Sequence, residues 1–364
     1  MPEMILKNEE RIAYALRALY QRYGYSSYKM SKFEEYDLYV QNKDFLVGDG
    51  VITFNDTNGK LLALKPDVTL SIIKNDGDVA GKRKVCYNEN VYRISAKTKQ
   101  FKEIMQVGLE CIGDIDVYDV YETLYLAAGS LAAISSAFVL DISHSGILSA
   151  VLEEIGKGEK FNKEVMQKIA EKNLHELRFV CQKYDVDEKN TEKLSALISA
   201  YGAPSAVLEK LAFVCENNNA KKAFDELKTL CSMLEKTEYA KNIRIDFSVV
   251  NDMNYYDDVV FKGFIDGIGE GVLSGGRYDK MLSRMRRKSG GIGFAVYLDL
   301  LESFGQEKRN VDVDTLVLYD ENTNMQTLVE TVNACIAAGN SVSAQKTKNA
   351  LRYQTLVDLT GGKQ

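Results

Sequence analysis

At 364 residues the chain exceeds the size at which a single hydrophobic core usually stops growing, so one large domain with one or two smaller pieces is expected. Apolar residues make up 45% and charged residues 27%, the composition of a soluble globular protein. The net charge of −6 argues against non-specific nucleic-acid binding, which needs basic surface to displace counterions from phosphates, but it leaves room for a local basic groove.

The start, MPEMILKNEERIAYALRALY, is a charged amphipathic pattern with no secretory leader, and no apolar run is long enough to span a membrane. Ile12, Leu16, Leu19 and Tyr23 share one helical face, and Gly24 ends the helix. Short strand-like runs follow at 51–56, 60–65 and 84–94, the first two joined by an Asp-Thr-Asn-Gly turn into a hairpin. The pattern turns helical from Asp119 to Leu131, and FVLDIS at 138–143 reads as a strand. Residues 146 to about 240 are rich in Lys and Glu with repeated i, i+3, i+4 apolar spacing, which predicts amphipathic helices joined by solvated turns. Strand-rich sequence resumes at Ile243, so this stretch is read as a helical insertion. The glycine run DGIGEGVLSGG at 266–276 lacks the helix that a dinucleotide loop needs directly after it, and is read as the turn of a hairpin. GGIGFAVYLDLL at 290–301 reads as a glycine-led apolar run entering a helix. After Gln306 come a strand (DTLVLYD), a helix closing on Gly339 and a strand (SVSAQ), the beginning of a small α/β piece.

Strands and helices alternate without a regular βαβ period, which predicts an α+β domain built on an antiparallel or mixed sheet. The six cysteines are scattered without a CxxC pair, and neither His144 nor His175 lies near one in sequence. No zinc site is expected, and the thiols suit small buried hydrophobes in a reducing cytoplasm. His144, in DISHSG, is read as a structural histidine at a strand end and Arg277, in GGRYD, as an ion-pair residue.

Several stretches, in this order, resemble the histidyl-tRNA synthetase family. LLALKPDVTLSIIKN (61–75) is similar to its L-R-P-E-x-T segment. VYRISAKTKQFKEIMQVGLECIG (91–113) resembles class II motif 2 with the family's F-x-Q-x-G-x-E ending. NYYDDVVFKGF and VLSGGRYDKML (254–282) resemble the histidine-specific L-D-Y-Y-x-x-x-V-F segment and its following G-G-R-Y-D. GGIGFAVYLDLL resembles motif 3, and RYGYSSYKMSKFEEYDLY (22–39) a weakened motif 1, with Ser31 in place of proline. The resemblance implies a class II synthetase-like antiparallel sheet flanked by helices over 1–305, with the insertion at 146–242, and a truncated anticodon-domain-like α/β segment over 306–364.

The family includes working synthetases and a non-catalytic branch, the regulatory subunits of ATP phosphoribosyltransferase. Activating an amino acid spreads negative charge over phosphate oxygens and needs cations in fixed places. Of the three arginines that the family pattern implies, the chain keeps Arg93; Asn251 and Leu300 stand at the other two. Ser95 stands where a glutamate holds the adenine amino group, and the second motif 2 arginine aligns near Gln100. The resemblance therefore implies no catalytic residues, no cofactor and no metal. It implies an amino-acid pocket in which Asp67, Thr69 and Gln106 hold the ammonium of histidine, while Glu110 and Tyr256, helped by Tyr255, read the imidazole. Asp67 replaces a glutamate and Asn254 an aspartate, and the ligand's carboxylate lacks its cation because residue 251 is Asn. Without the resemblance, Gln106 and Glu110 read rather as polar residues on one face and the tyrosines as sheet packing. Arg93 either holds a phosphate or pairs a buried carboxylate.

The acidic charge and the short tail, which has no aromatic cluster, argue against tRNA binding. The expectation is a cytoplasmic regulatory subunit, homodimeric within a hetero-oligomer, whose partner is a short-form ATP phosphoribosyltransferase catalytic chain and whose effector is histidine. An active synthetase and an RNA-sensing pseudo-synthetase are the alternatives.

Overall fold

The computed structural model describes residues 6–41, 50–75, 81–95, 98–249, 255–302, 304 and 311–361. Its main sheet, in chain order, comprises β1 (Ser26–Ser27), β2 (Arg83–Ile94), β3 (Phe101–Gly113), β4 (Phe138–His144), β5 (Tyr201–Gly202), β6 (Ile243–Asp246), β7 (Val259–Ile265), β8 (Leu273–Arg277) and β9 (Gly290–Tyr297). Side by side they run β1-β2-β3-β9-β8-β7-β4-β6-β5. Neighbours are antiparallel except β1 with β2 and β4 with β6. This is the mixed, largely antiparallel sheet of an α+β domain. The hairpin expected at 51–65 forms separately, with Thr53–Asn55 and Leu61–Leu64 paired antiparallel in a three-stranded sheet with Phe33–Glu35.

Alternation along the strands gives the sheet two unlike faces. Leu109, Phe261 and Phe294 turn to the face covered by helix α1 (Asn8–Arg22) and by a long helix at Val117–Ile134. There Tyr20 meets Phe294 edge-on, with ring centroids 5.8 Å apart. The long helix is started by a capping box: Asp116 accepts from Tyr118 N and Asp119 N, and Asp119 accepts from Asp116 N. On the other face, helix α2 (Val68–Asn75) packs with Tyr87, Ile112, Tyr255, Tyr278 and Met281 in a second apolar cluster. That face holds the site.

Between Ser145 and Leu234 six helices follow one another, at 145–155, 159–170, 174–183, 188–198, 204–211 and 218–234, interrupted among described residues only by the short β5 and one 3-10 turn. Their starts are marked by Asn173, Asp187 and Asn217, each accepting a bond from a backbone N–H in the first turn, and by Pro204 at the first helical position. Their inward faces (Phe161, Val165, Leu194, Leu227 and Leu230 among them) join the same core as the sheet.

GGIGFAVYLDLL departs from its sequence reading. Gly290–Tyr297 is a sheet strand, and only Leu298–Leu301 turns, as a 3-10 helix. Pairing on both sides, to β3 and β8, supplies hydrogen bonds that local apolar periodicity does not report.

The chain divides into two compact units, Met1–Phe304 and Gly305–Gln364. The second is a three-stranded parallel sheet in which Val313–Leu318 lies between Val342–Gln345 and Tyr353–Asp358, with a helix at Met325–Ala337. Among the described residues, no helix is long and apolar enough to cross a membrane.

Candidate functional site

The register of the strands lays out the floor of the site. Glu110 on β3 faces Gly293 on β9, then Gly276 on β8 and Val260 on β7. One step along, Gly108, Ala295, Ser274 and Lys262 form a second row, and Gln106 with Tyr297 begin a third. Because side chains two residues apart share a face, all these rows open to the same side. Small residues fill the middle of the floor, leaving a cavity of about 510 Å³ roofed by the start of α2 and by Tyr255, Tyr256 and Tyr278.

Asp67, Thr69, Arg93, Gln106, Glu110, Tyr255 and Tyr256 all line this cavity. Glu110 is its centre. Thr69 Oγ1 and Tyr278 Oη each donate to its carboxylate at 2.6 Å. Burial pushes its carboxyl up to about 8; the two hydroxyl bonds pull the other way, and nearby Asp67 adds to the rise. At neutral pH this group is therefore chiefly a neutral acid, able to donate as well as accept. Asp67 caps α2 by accepting from Leu70 N at 2.9 Å, and Tyr255 Oη lies 3.4 Å from both its oxygens. Its carboxyl is also raised, by burial first, with the charge of Arg93 opposing. Arg93 donates from Nε to the Pro66 carbonyl at 2.9 Å and so sits beside that buried carboxylate. Tyr255 and Tyr256 meet edge-on, centroids 4.7 Å apart.

Sequence reasoning missed Tyr278 and Lys262. Tyr278 lies within GGRYD, where the sequence singles out only its neighbour Arg277. Arg277 pairs with Asp279 at 2.8 Å, with Asp258 and Glu226 farther off, and does not line the cavity. His144 caps the helix at Ser145–Ile155 by accepting from Gly146 N, with Nε2 3.7 Å from Glu226. Among the described residues, no three His, Cys, Asp or Glu side chains converge as a metal site.

The Tyr278 bond stabilises the charged form of Glu110. Tyr278→Phe is expected to move the Glu110 titration, read by NMR of the side-chain carboxyl, above about 8. It should lower stability by roughly 1 kcal/mol in thermal melts, the usual net worth of one hydrogen bond.

The family model described as histidyl-tRNA synthetase matches residues 2–301. The chain belongs to that family. Among the relatives of this histidyl-tRNA synthetase-like chain, an ATP phosphoribosyltransferase regulatory subunit of Alkaliphilus metalliredigens is 30% identical over 297 residues, covering 79% of this chain and 74% of the relative. A solved structure from Bacillus halodurans, described as an ATP phosphoribosyltransferase regulatory subunit/histidyl-tRNA synthetase, superposes with a TM-score of 0.80 at 25% identity, covering 97% of this chain and 94% of the other. A chain of the ATP phosphoribosyl transferase complex of Thermotoga maritima shares the fold, with a TM-score of 0.63 at 18% identity, covering 80% of this chain and 97% of that one.

Within the family's frame, Leu300 lies in the 3-10 turn after β9, half-buried against the main core and outside the cavity lining. Ser95 belongs to the turn joining β2 and β3: its N–H bonds Gln100 O at 2.9 Å and its Oγ accepts from Thr98 N at 3.2 Å. Asn251 and Asn254 lie outside the described residues.

Proposed function

We propose that this chain is the regulatory subunit of an ATP phosphoribosyltransferase. It would activate a short-form catalytic chain that condenses ATP with phosphoribosyl pyrophosphate, and pass histidine feedback to it from the cavity around Glu110. The observation that carries the reading is a site preserved in one half and altered in the other. Thr69, Gln106, Glu110, Tyr255 and Tyr256 surround one cavity with chemistry suited to an ammonium and an imidazole. Leu300 offers no donor and Ser95 is engaged in its turn, at positions where a synthetase needs a cation and a carboxylate. Each preorganised charged contact supports adenylate formation by several kcal/mol, so their combined absence speaks for lost synthetase chemistry. The names of the relatives favour the same conclusion. The setting would be cytoplasmic, which suits six free thiols, five of them buried. The chain would act as a homodimer inside the hetero-oligomer. Histidine regulates only if it binds one state of that assembly better than the other.

The test has two arms. The chain should co-purify at micromolar concentration with a short catalytic subunit from the same genome and raise its turnover, and added histidine should suppress that turnover. It should also show no histidine-dependent ATP–pyrophosphate exchange. Exchange at synthetase-like rates would favour an active synthetase, and tight, salt-sensitive tRNA binding an RNA sensor.

A further inference from the structure

The cavity has groups for the ammonium and ring of an amino acid, but its carboxylate also needs a partner. Among the described residues, five charged side chains line the cavity: Asp67, Glu110, Glu270, Arg93 and Lys262. Arg93 is committed, bonded to the Pro66 carbonyl and offsetting the charge of Asp67. Lys262 is not. Its ammonium lies over the Phe264 ring, 5.5 Å from the centroid, and among the described residues no carboxylate comes within 4.0 Å of it.

Its placement is built by the sheet. Val260, Lys262 and Phe264 alternate onto the cavity face of β7, and Lys262 stands opposite Ser274 in the second floor row. Gly271 makes room for the lysine stem: a Cβ there would fall 2.2 Å from Lys262 Cε. Glu110 and Lys262 are separated by two intervening strands and one step along the rows, on the order of 15 Å between backbones at ~4.8 Å per strand. The ammonium rests over Phe264, one row farther from Glu110; turning the long side chain back along the cavity floor would bring it within a span that a small amino acid can bridge, ring toward Glu110 and carboxylate toward the ammonium.

We propose that Lys262 is the group that recognises the carboxylate of the bound amino acid, making the site selective for a free α-amino acid over decarboxylated or reduced analogues. This rests on the reading of the cavity as a histidine site. The lysine supplies from β7 the cation that position 251, an asparagine, does not offer.

Calorimetry on the full chain, with L-histidine and with L-histidinol, tests it, since the second ligand keeps the ammonium and imidazole but has a hydroxymethyl in place of the carboxylate. Lys262→Met is expected to weaken L-histidine about ten- to hundredfold, the range of a charged hydrogen bond, and to leave L-histidinol within about twofold. Lys262→Arg should recover part of the L-histidine affinity, and Gly271→Ala, which pushes the stem aside, should fall between wild type and Lys262→Met. Equal weakening of both ligands, or none of either, overturns the assignment to Lys262 while leaving the histidine reading intact. Failure of the wild-type chain to bind L-histidine, alone and with its catalytic partner, overturns the reading itself and the role of Lys262 with it.

Discussion

Glu110→Ala is expected to abolish most histidine inhibition of the assembled transferase while leaving assembly intact, because the carboxyl lies inside the cavity and not on the surface. Truncation removes the ring-reading group and strands the Thr69 and Tyr278 hydroxyls, each bonded to it at 2.6 Å. Losing a buried hydrogen-bonded acid of this kind costs roughly 2–3 kcal/mol of ligand affinity, or about thirty- to 150-fold in inhibitory concentration. Unchanged inhibition would place the histidine site elsewhere, such as the interface with the catalytic chain.

The pH profile sharpens this result. Burial holds Glu110 protonated up to about 8, whereas free imidazole titrates near about 6.5. A bound imidazole facing Glu110 shares a single proton with it. Below about 6.5 the free partners carry two protons and one must leave; above about 8 they carry none and one must be taken up. Affinity should therefore peak between these values and fall on both sides. Glu110→Gln, which cannot release a proton, should lose the alkaline limb. The same shift makes a stability prediction for the free chain. A carboxyl raised from the ordinary 4.5 stabilises the fold below that pH, and the contribution is lost as pH rises toward 8. Denaturant melts should find Glu110→Gln close to wild type near pH 4.5, and more stable by roughly 1 to a few kcal/mol at pH 8 and above.

What could be read from the sequence followed the range of the interactions involved. The helix at Asn8–Arg22, the hairpin at 53–64 and the helices from 145 to 234 are set by local periodicity, turns and caps, and were read close to their observed places. The candidate residues came from ordered motifs, and strand register brings four strands distant in sequence to one cavity. Two kinds of feature were not legible. Gly290–Tyr297 is largely apolar on both faces, one packed on the core and the other flooring the cavity, so little in its composition separates it from a buried helix. Tyr278 and Lys262 act through partners more than one hundred positions away or across strands, as with the 168-residue separation of Tyr278 from Glu110. For Lys262 a signal was available: Val260, Lys262 and Phe264 alternate, which puts the lysine on the same face as its neighbours two residues away. The last strand, Tyr353–Asp358, carries no apolar run longer than Leu356–Val357, too short to signal a strand in the sequence.

Gly293→Ala tests whether the glycines of GGIGF serve the site. A methyl group at 293 would lie 1.8 Å from Glu110 Oε2 and 2.4 Å from the Leu109 carbonyl oxygen. Glu110 cannot simply turn away, since Thr69 and Tyr278 hold its carboxylate from both sides. Gly291 has the matching role for Tyr278, where a Cβ would fall 2.3 Å from Cε2 of the ring. In an unhindered strand Gly→Ala stabilises by about 0.4–1 kcal/mol through the unfolded chain. Here overpacking and a broken buried bond oppose that, and a net loss of roughly 2–4 kcal/mol is expected in chemical melts, with histidine binding lost. Gly269→Ala, also on the cavity lining but with nothing within 4 Å of the added methyl, should stay within about 0.5 kcal/mol of wild type. Combining Gly293→Ala with Glu110→Ala removes the carboxylate collision but not the contact with Leu109, so the double variant should be less destabilised than the sum by about 1 kcal/mol or more. Strict additivity would mean that the glycine answers only to the backbone of β3, and that the carboxylate pocket above it was not what required the missing side chain.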